Sequence, residues 1–368
     1  NYAFLTQEVR DQLQANPGAL SYTNYHIANT VPAMDWLRVR HYDPNADWPP
    51  KGVHLTLIFR GNGAYQSDLS VLIHYELYDG LPVICKWMEM INEGAEPMQL
   101  QSFTSELLAA VEYGAWVENR EYQVAHPNIH VETDYAFASF VAEDANHHVV
   151  HWEPDPDYHT QVNYLKQTPC LLKVSPELGP DVKIPPGDTF TTYRTYVLPF
   201  DSYDRERMGL AKRRMYRTLA PWTTENPLMM HARFADWDRV KIAIDQAAEV
   251  GFEMVILTFG SGFDIESEDD AYIEEMKRYA DYAKSKGIEL GGYSLLASRS
   301  IAADNDVVYP EGPTPVVGKT PCIGSQWGQA DFQKLYDFYD YTGVSLLEHD
   351  GSYPGDICMS QDHPGHTG

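Results

Sequence analysis

The chain has no run of about 18 apolar residues, so it offers no helical segment able to span a bilayer. Its opening, NYAFLTQEVRDQL, lacks both an initiator Met and the apolar stretch of a secretory leader, and reads as a processed product or a trimmed chain. Cysteine is scarce. Cys85, Cys170, Cys322 and Cys358 are too few and too scattered for a disulfide framework or a zinc knuckle. They leave the compartment open, with a secreted or periplasmic location favoured over a cytoplasmic one. Basic residues are also short: 27 Lys and Arg face 53 Asp and Glu, a net charge of −26. Such a surface repels phosphate backbones and anionic lipid, so neither nucleic acid nor membrane is expected as a partner, and neutral or cationic ligands are favoured.

Several chemical signatures are missing as well. FGSGF (259–263) lacks the third glycine of a dinucleotide fingerprint and the Lys of a P-loop. No G-x-S-x-G elbow, no H-E-x-x-H and no D-x-D-x-D-G loop occurs. The tail residues Asp356, Asp362, His363 and His366 are dense in metal-binding side chains but follow no ligand spacing. No cofactor and no metal are therefore expected.

Aromatics are plentiful, with 25 Tyr and 8 Trp in 368 residues. They suit stacking on sugar CH faces, and equally suit filling large β cores. At this length two domains are the natural division. Residues 53 to 200 carry β-branched and aromatic runs separated by turn residues: 53–59, 70–79, 82–92, 98–112, 148–154, 170–176 and 189–200. Together they predict a large antiparallel sandwich over residues 1–203. Residues before 53 read as an irregular lead whose Trp36 and Trp48 reach over a neighbouring surface. A basic helical connector spans 204–226.

From 227 to 368 the period changes. Val240, Ile244, Ala247 and Ala248 share one helical face that ends at Gly251, and Ile273, Met276, Ala280 and Ala283 share another that ends at Gly287. Apolar strands alternate with these helices and with a third at 329–343, which implies parallel pairing. Four strands and three helices fit either a doubly wound sheet or part of a (β/α) barrel. Strand C-termini gather function in both. They carry His231 and Arg233, then Phe259, Ser261 and Asp264, then Tyr293, Ser298 and Arg299, and finally Glu348, His349 and Asp350. Asp350 stands out, because a carboxylate after the apolar VSLL is costly unless paired or working. Asp350-Gly351 is also an ordinary turn signal.

HYELYDGLPVICKWMEMINEG, LQSFTSELL, PWTTENPLMMH and LLEHDG together resemble the alpha-galactosidase (melibiase) clan of retaining glycoside hydrolases. The resemblance implies a multidomain β plus α/β chain: a large antiparallel β-sandwich, then a (β/α) barrel of which about four strands are present. It implies a retaining, exo-acting alpha-glycosidase of alpha-galactosidase type, working through a covalent aspartyl-glycosyl intermediate. Asp350 takes the place of the nucleophile, oriented by His349 or Tyr353. His231, Tyr293 and Arg299 would hold hydroxyls, Trp327 would stack, and Glu348 and Asp356 complete the expected substrate-binding set. Two departures stand out. The clan's Lys aligns with Glu348, and the clan's acid/base ends a sixth strand whereas this sequence stops after the fourth. The resemblance further implies a disulfide or close thiol pair between Cys322 and Cys358. An oligosaccharide or glycoconjugate is the expected partner, with homo-oligomerisation left open. A non-catalytic carbohydrate-binding protein, or a metal-dependent hydrolase or lyase using the terminal His and Asp cluster, are the alternatives.

Overall fold

The computed structural model describes residues 11, 16, 18–36, 45–62, 65–111, 126–135, 146–156, 167–177, 179–223, 227–296, 299–309, 319–350 and 358–361. The chain divides into two compact units, Asn1–Glu225 and Asn226–Gly368.

In the first unit the strands run β1 (Ser21–Asn29), β2 (Gly52–Asn62), β3 (Tyr65–Tyr78), β4 (Leu81–Asn92), β5 (Met98–Ser102), β6 (Glu106–Ala109), β7 (Ile129–Thr133), β8 (Val150–Pro154), β9 (Pro169–Val174), β10 (Pro180–Ile184), β11 (Thr189–Thr191) and β12 (Thr195–Pro199), followed by helix α1 (Arg205–Leu219). A large antiparallel sheet has the order β1-β2-β3-β4-β12-β7, with β11 also on β4. Alternation along β4 assigns its two faces. Val83, Cys85 and Trp87 turn to one side and pack with Leu198 and the helix residue Met215. Met88 and Met90 turn to the other, where Leu100 and Ile184 of the β10-β5 pair meet them. Further along that second side, Val131 and Val197 pack on Leu172 and Val174 of the β6-β9-β8 sheet. The result is a β-sandwich with a helix against its outer face.

The second unit runs β13 (Met229–Ala232), α2 (Trp237–Val250), β14 (Met254–Leu257), α3 (Asp270–Ser285), β15 (Glu289–Leu295), α4 (Gln326–Thr342) and β16 (Leu346–Asp350). The strands form one parallel sheet in sequential order. Asp236, Asp269 and Ser325 cap the three helices by accepting backbone N–H groups of the first turn. Gly251 and Gly343 end α2 and α4 at φ of 87° and 75°, a region where a side chain is strained. Val240 and Ile244 of α2, Met276 and Ala283 of α3, and Leu335 and Phe338 of α4 all join Val255, Leu257 and Leu290 in a single core. All three helices therefore lie on the same face of the sheet.

Three expectations are corrected. The lead before residue 53 contains a strand, β1, exposed at every one of its residues, so it shows no inward-outward alternation in sequence. The run 98–112 is two strands, β5 and β6, which pair in different sheets. The run 189–200 likewise breaks at Thr192–Arg194 into β11 and β12, both of which pair with β4. Trp36 and Trp48 pack on each other and on Trp222 of the same chain, with ring centroids 5.1–5.7 Å apart.

One polar seam lies inside the first unit. His54 Nε2 is 2.9 Å from His74 Nδ1, and the Thr56 hydroxyl is within 3.3 Å of both. His74 stacks on Trp87, over which Arg194 also sits. Burial, the largest cause, pushes both imidazoles down, and His54 and Arg194 help bring His74 to about 4. An unfolded imidazole titrates near about 6.5. Between those values the unfolded chain holds more protons than the folded one, so stability present above pH ~6.5 falls as pH drops toward ~4. Thermal melts should show this loss, and His74→Gln should lose less between pH ~7 and ~4.5 than the parent does. An equal pH dependence in the two proteins would refute the assignment.

Candidate active site

The parallel register brings four strand ends together. His231 lies in β13, Thr258 directly follows β14, and Tyr293 of β15 pairs with Glu348 of β16. Met230, Val255, Leu257, Leu290 and Leu347 occupy the helix-packed face. By alternation His231, Thr258, Tyr293 and Glu348 share the opposite one. There His231 Nε2 is 3.5 Å from Glu348 Oε1, and the Thr258 hydroxyl donates to Glu348 Oε2 at 3.2 Å. The Glu348 side chain is 32% exposed and that of His231 51%. The Phe259 ring meets Tyr293 edge-on at 5.3 Å. The floor so formed is an acceptor-rich carboxylate flanked by an imidazole, a hydroxyl and aromatic edges.

A second group belongs to the following loops. Arg299 forks onto Glu266, with Nη2 2.7 Å from Oε1 and Nη1 3.1 Å from Oε2. Its guanidinium lies 4.9 Å over the Trp327 ring. Asp331, buried in α4, has its carboxyl raised above the ordinary range by burial first and by the Glu266 charge second. Gly292 leaves room for Phe263 to lie across β15, since a Cβ there would overlap the ring. This contact fixes the course of the loop after β14. In the loop after β15, Asp306 accepts the Ile301 N–H at 2.7 Å and the Ser300 hydroxyl. Asn305 accepts the Trp327 N–H at 3.1 Å, which ties this loop to the start of α4. Cys322 and Cys358 come together as neighbouring thiols rather than as a disulfide; burial, then the nearby Cys358, raises the Cys322 thiol.

Of the residues singled out in the sequence, the structure joins His231, Tyr293 and Glu348 in one group and Arg299 with Trp327 in another. The Trp327 face beneath Arg299 is occupied by that guanidinium, which leaves it unavailable to a sugar from that side. His349 alternates to the face opposite Glu348, and its charge is felt by Asp331. Asp350 closes β16 and pairs by backbone with Leu295. Its side chain, together with Tyr353, Asp356, Asp362, His363 and His366, lies outside the described residues, as does Ser298. Thr258, Glu266 and Asp331 were missed. Thr258 was legible as the first polar residue after MVIL, whereas nothing in the sequence pairs Glu266 with Arg299. A separate cavity of about 570 Å³ lies on the helical side, lined by Glu268, Glu274, Lys334 and Tyr341 among others.

No family model matches the sequence, and no curated protein does. Solved structures do match in fold. A GH36 alpha-galactosidase from Geobacillus stearothermophilus in complex with 1-deoxygalactonojirimycin aligns over 90% of this chain and 53% of its own, with 16% identity and a TM-score of 0.55. A variant of that enzyme in complex with stachyose aligns over 91% and 53%, with 16% identity and a TM-score of 0.54. The chain thus spans about half the length of these structures. The likeness is one of fold, and it agrees with the resemblance drawn from the sequence.

The Arg299 fork is the contact most open to test. Lysine cannot reproduce the two-nitrogen contact with Glu266 or place a planar group over Trp327. Arg299→Lys should cost about 1–3 kcal/mol in chemical denaturation and make the loop between β14 and α3 more sensitive to limited proteolysis. Unchanged stability and an unchanged cleavage pattern would show the pair to be incidental.

Proposed function

We propose that the protein is a glycoside hydrolase of alpha-galactosidase type and that the parallel sheet of its second unit is the first part of a (β/α)8 barrel. The fold likeness to GH36 alpha-galactosidases supports the hydrolase reading. The barrel reading is supported by the sequential strand order and by helices on a single face, since a doubly wound sheet carries helices on both. Parallel sheets are covered on both faces. Among the described residues, β13 and β16 each pair on one side only.

The observation that carries the site assignment is positional. Asp350 ends the fourth parallel strand, two residues beyond a carboxylate that already holds His231 and Thr258. On this reading the Asp350 carboxylate attacks the anomeric carbon. A carbon–oxygen ester bond forms as the glycosidic bond breaks, and the departing oxygen takes a proton from a general acid. Water then attacks the ester, gives its proton to the same group and releases the sugar with its configuration retained. None of the described carboxylates is assigned as that acid. His231 and Tyr293 bind sugar hydroxyls. The substrate is an oligosaccharide or glycoconjugate ending in an alpha-linked sugar.

The test uses the full-length protein that carries this sequence. Aryl alpha-galactoside should be hydrolysed with retention, and a fluorinated galactosyl reagent should leave a covalent adduct on Asp350. Asp350→Asn should lower kcat at least ~10³-fold, a loss of about 4 kcal/mol in transition-state stabilisation. A label on another residue, or full activity in the variant, would remove Asp350 from the role.

A further inference from the structure

We propose that Glu348 determines specificity at this site: its carboxylate receives hydrogen-bond donors from the ligand, so the site takes neutral hydroxylated pyranosides and rejects pyranosides that carry a carboxylate. The proposal rests on the reading that these strand ends bind a sugar, and it deepens that reading by fixing the charge class of the sugar.

The argument begins with what a carboxylate can do. Ionised, it only accepts, and its two oxygens offer about four lone-pair positions. Thr258 fills one at 3.2 Å. His231 stands at 3.5 Å from the other oxygen, longer than an ordinary hydrogen bond of about 2.7–3.2 Å. Lone pairs therefore remain, and a side chain 32% exposed keeps them within reach of a ligand. Sugar hydroxyls can donate to them.

Charge supplies the exclusion. Among the described residues Glu348 forms its only ion-pair contact with His231, an imidazole that is half exposed and carries charge only when protonated. Arg299, in the loop after β15, is ion-paired with Glu266 rather than with Glu348. Among the described residues no guanidinium or ammonium is thus paired with Glu348 to offset its charge against an anionic ligand. Like charges set against each other across a partly desolvated contact are strongly disfavoured. A chain with a net charge of −26 repels the same ligands at long range. Tyr293, paired with Glu348 across the strands and in edge-to-face contact with Phe259, gives the apolar CH face of a pyranose something to rest on.

The experiment measures binding, so that it does not depend on turnover. The full-length protein and its Glu348→Gln variant are titrated calorimetrically with methyl alpha-D-galactopyranoside and with the corresponding uronide, the same ring with a carboxylate at C6. The parent should bind the neutral glycoside at least ~10-fold more tightly than the uronide. Glu348→Gln, close in size but uncharged and able to donate, should shrink that preference at least ~10-fold, mainly by gaining affinity for the uronide. For the parent alone, raising NaCl from about 0.02 to 0.5 M should also narrow the preference, a readout that holds even if the variant misfolds. Equal affinities in the parent, an unaltered preference in a folded variant, or no binding of either sugar would each overturn the proposal. Discrimination in binding without aryl galactoside turnover would sink the hydrolase reading and leave this one standing. Turnover with an indifferent Glu348→Gln would do the reverse.

Discussion

The strand-end site depends on one constraint, the pairing register of β13 to β16. Side chains alternate across a strand, so a slip of one residue would carry Glu348 into the helical layer and Leu347 out of it. Two forces could hold the register, and their sizes differ. The His231–Glu348 contact is a partly exposed pair, worth about 0–1 kcal/mol. Val255, Leu257 and Leu290 are buried against the helices, and each would lose about 1.5–3 kcal/mol on exposure. The apolar core therefore sets the geometry and the polar groups are carried along by it. Close packing adds to this, since Gly291 lies against Ile256 and Leu346, where even a methyl group would crowd both neighbours.

The sandwich solves a different problem. Its large sheet is apolar on both faces along β4, because helix α1 covers one and the small sheets cover the other. Toward β2 and β3 the helix-side face turns polar. Glu76, 1% exposed, accepts the Val31 N–H at 2.7 Å and the Tyr78 hydroxyl at 2.8 Å, with Arg194 at 4.0 Å. A buried carboxylate left without donors would cost several kcal/mol, so these contacts tie the Thr30–Trp36 stretch to the sheet. The His54–His74 pair continues the same seam. Polar burial here fixes where the lead segment lies, at the expense of tolerance to acid.

Legibility in the sequence followed the strength of local periodicity. The helices of the second unit were readable because Val240, Ile244 and Ala247, and Met276, Ala280 and Ala283, recur at helical spacing before a glycine stop. β1 was not, because SYTNYHIAN has both faces exposed and so nothing in it alternates. The breaks at 103–105 and 192–194 were invisible for another reason: the chain changes pairing there, a tertiary choice with little local trace. At the site, strand ends were readable while partnerships were not. Arg299 looked available to a ligand, and only coordinates show it committed to Glu266 and Trp327. The side of the strand that His349 takes was implicit in its place next to Glu348, and period-2 reasoning applied to VSLLEHD would have separated the two.

At 16% identity, a shared fold and a shared substrate are separable questions. A core of Val, Ile, Leu and Ala asks only for apolar side chains of suitable volume at the right period, so many sequences satisfy it. A sugar site asks for particular donors and acceptors at particular strand ends, and a single exchange there reverses the sign of what is welcomed. Fold likeness therefore indicates where to look, while ligand chemistry has to be read from the polar groups at that place. Here they are an acceptor-only carboxylate, one hydroxyl already spent on it, and an imidazole too exposed and too distant to neutralise it reliably. The Glu348 carboxylate dominates the electrostatic character of this floor. Among the described residues its one ion-pair contact is with the His231 imidazole, which is not a permanent counter-charge.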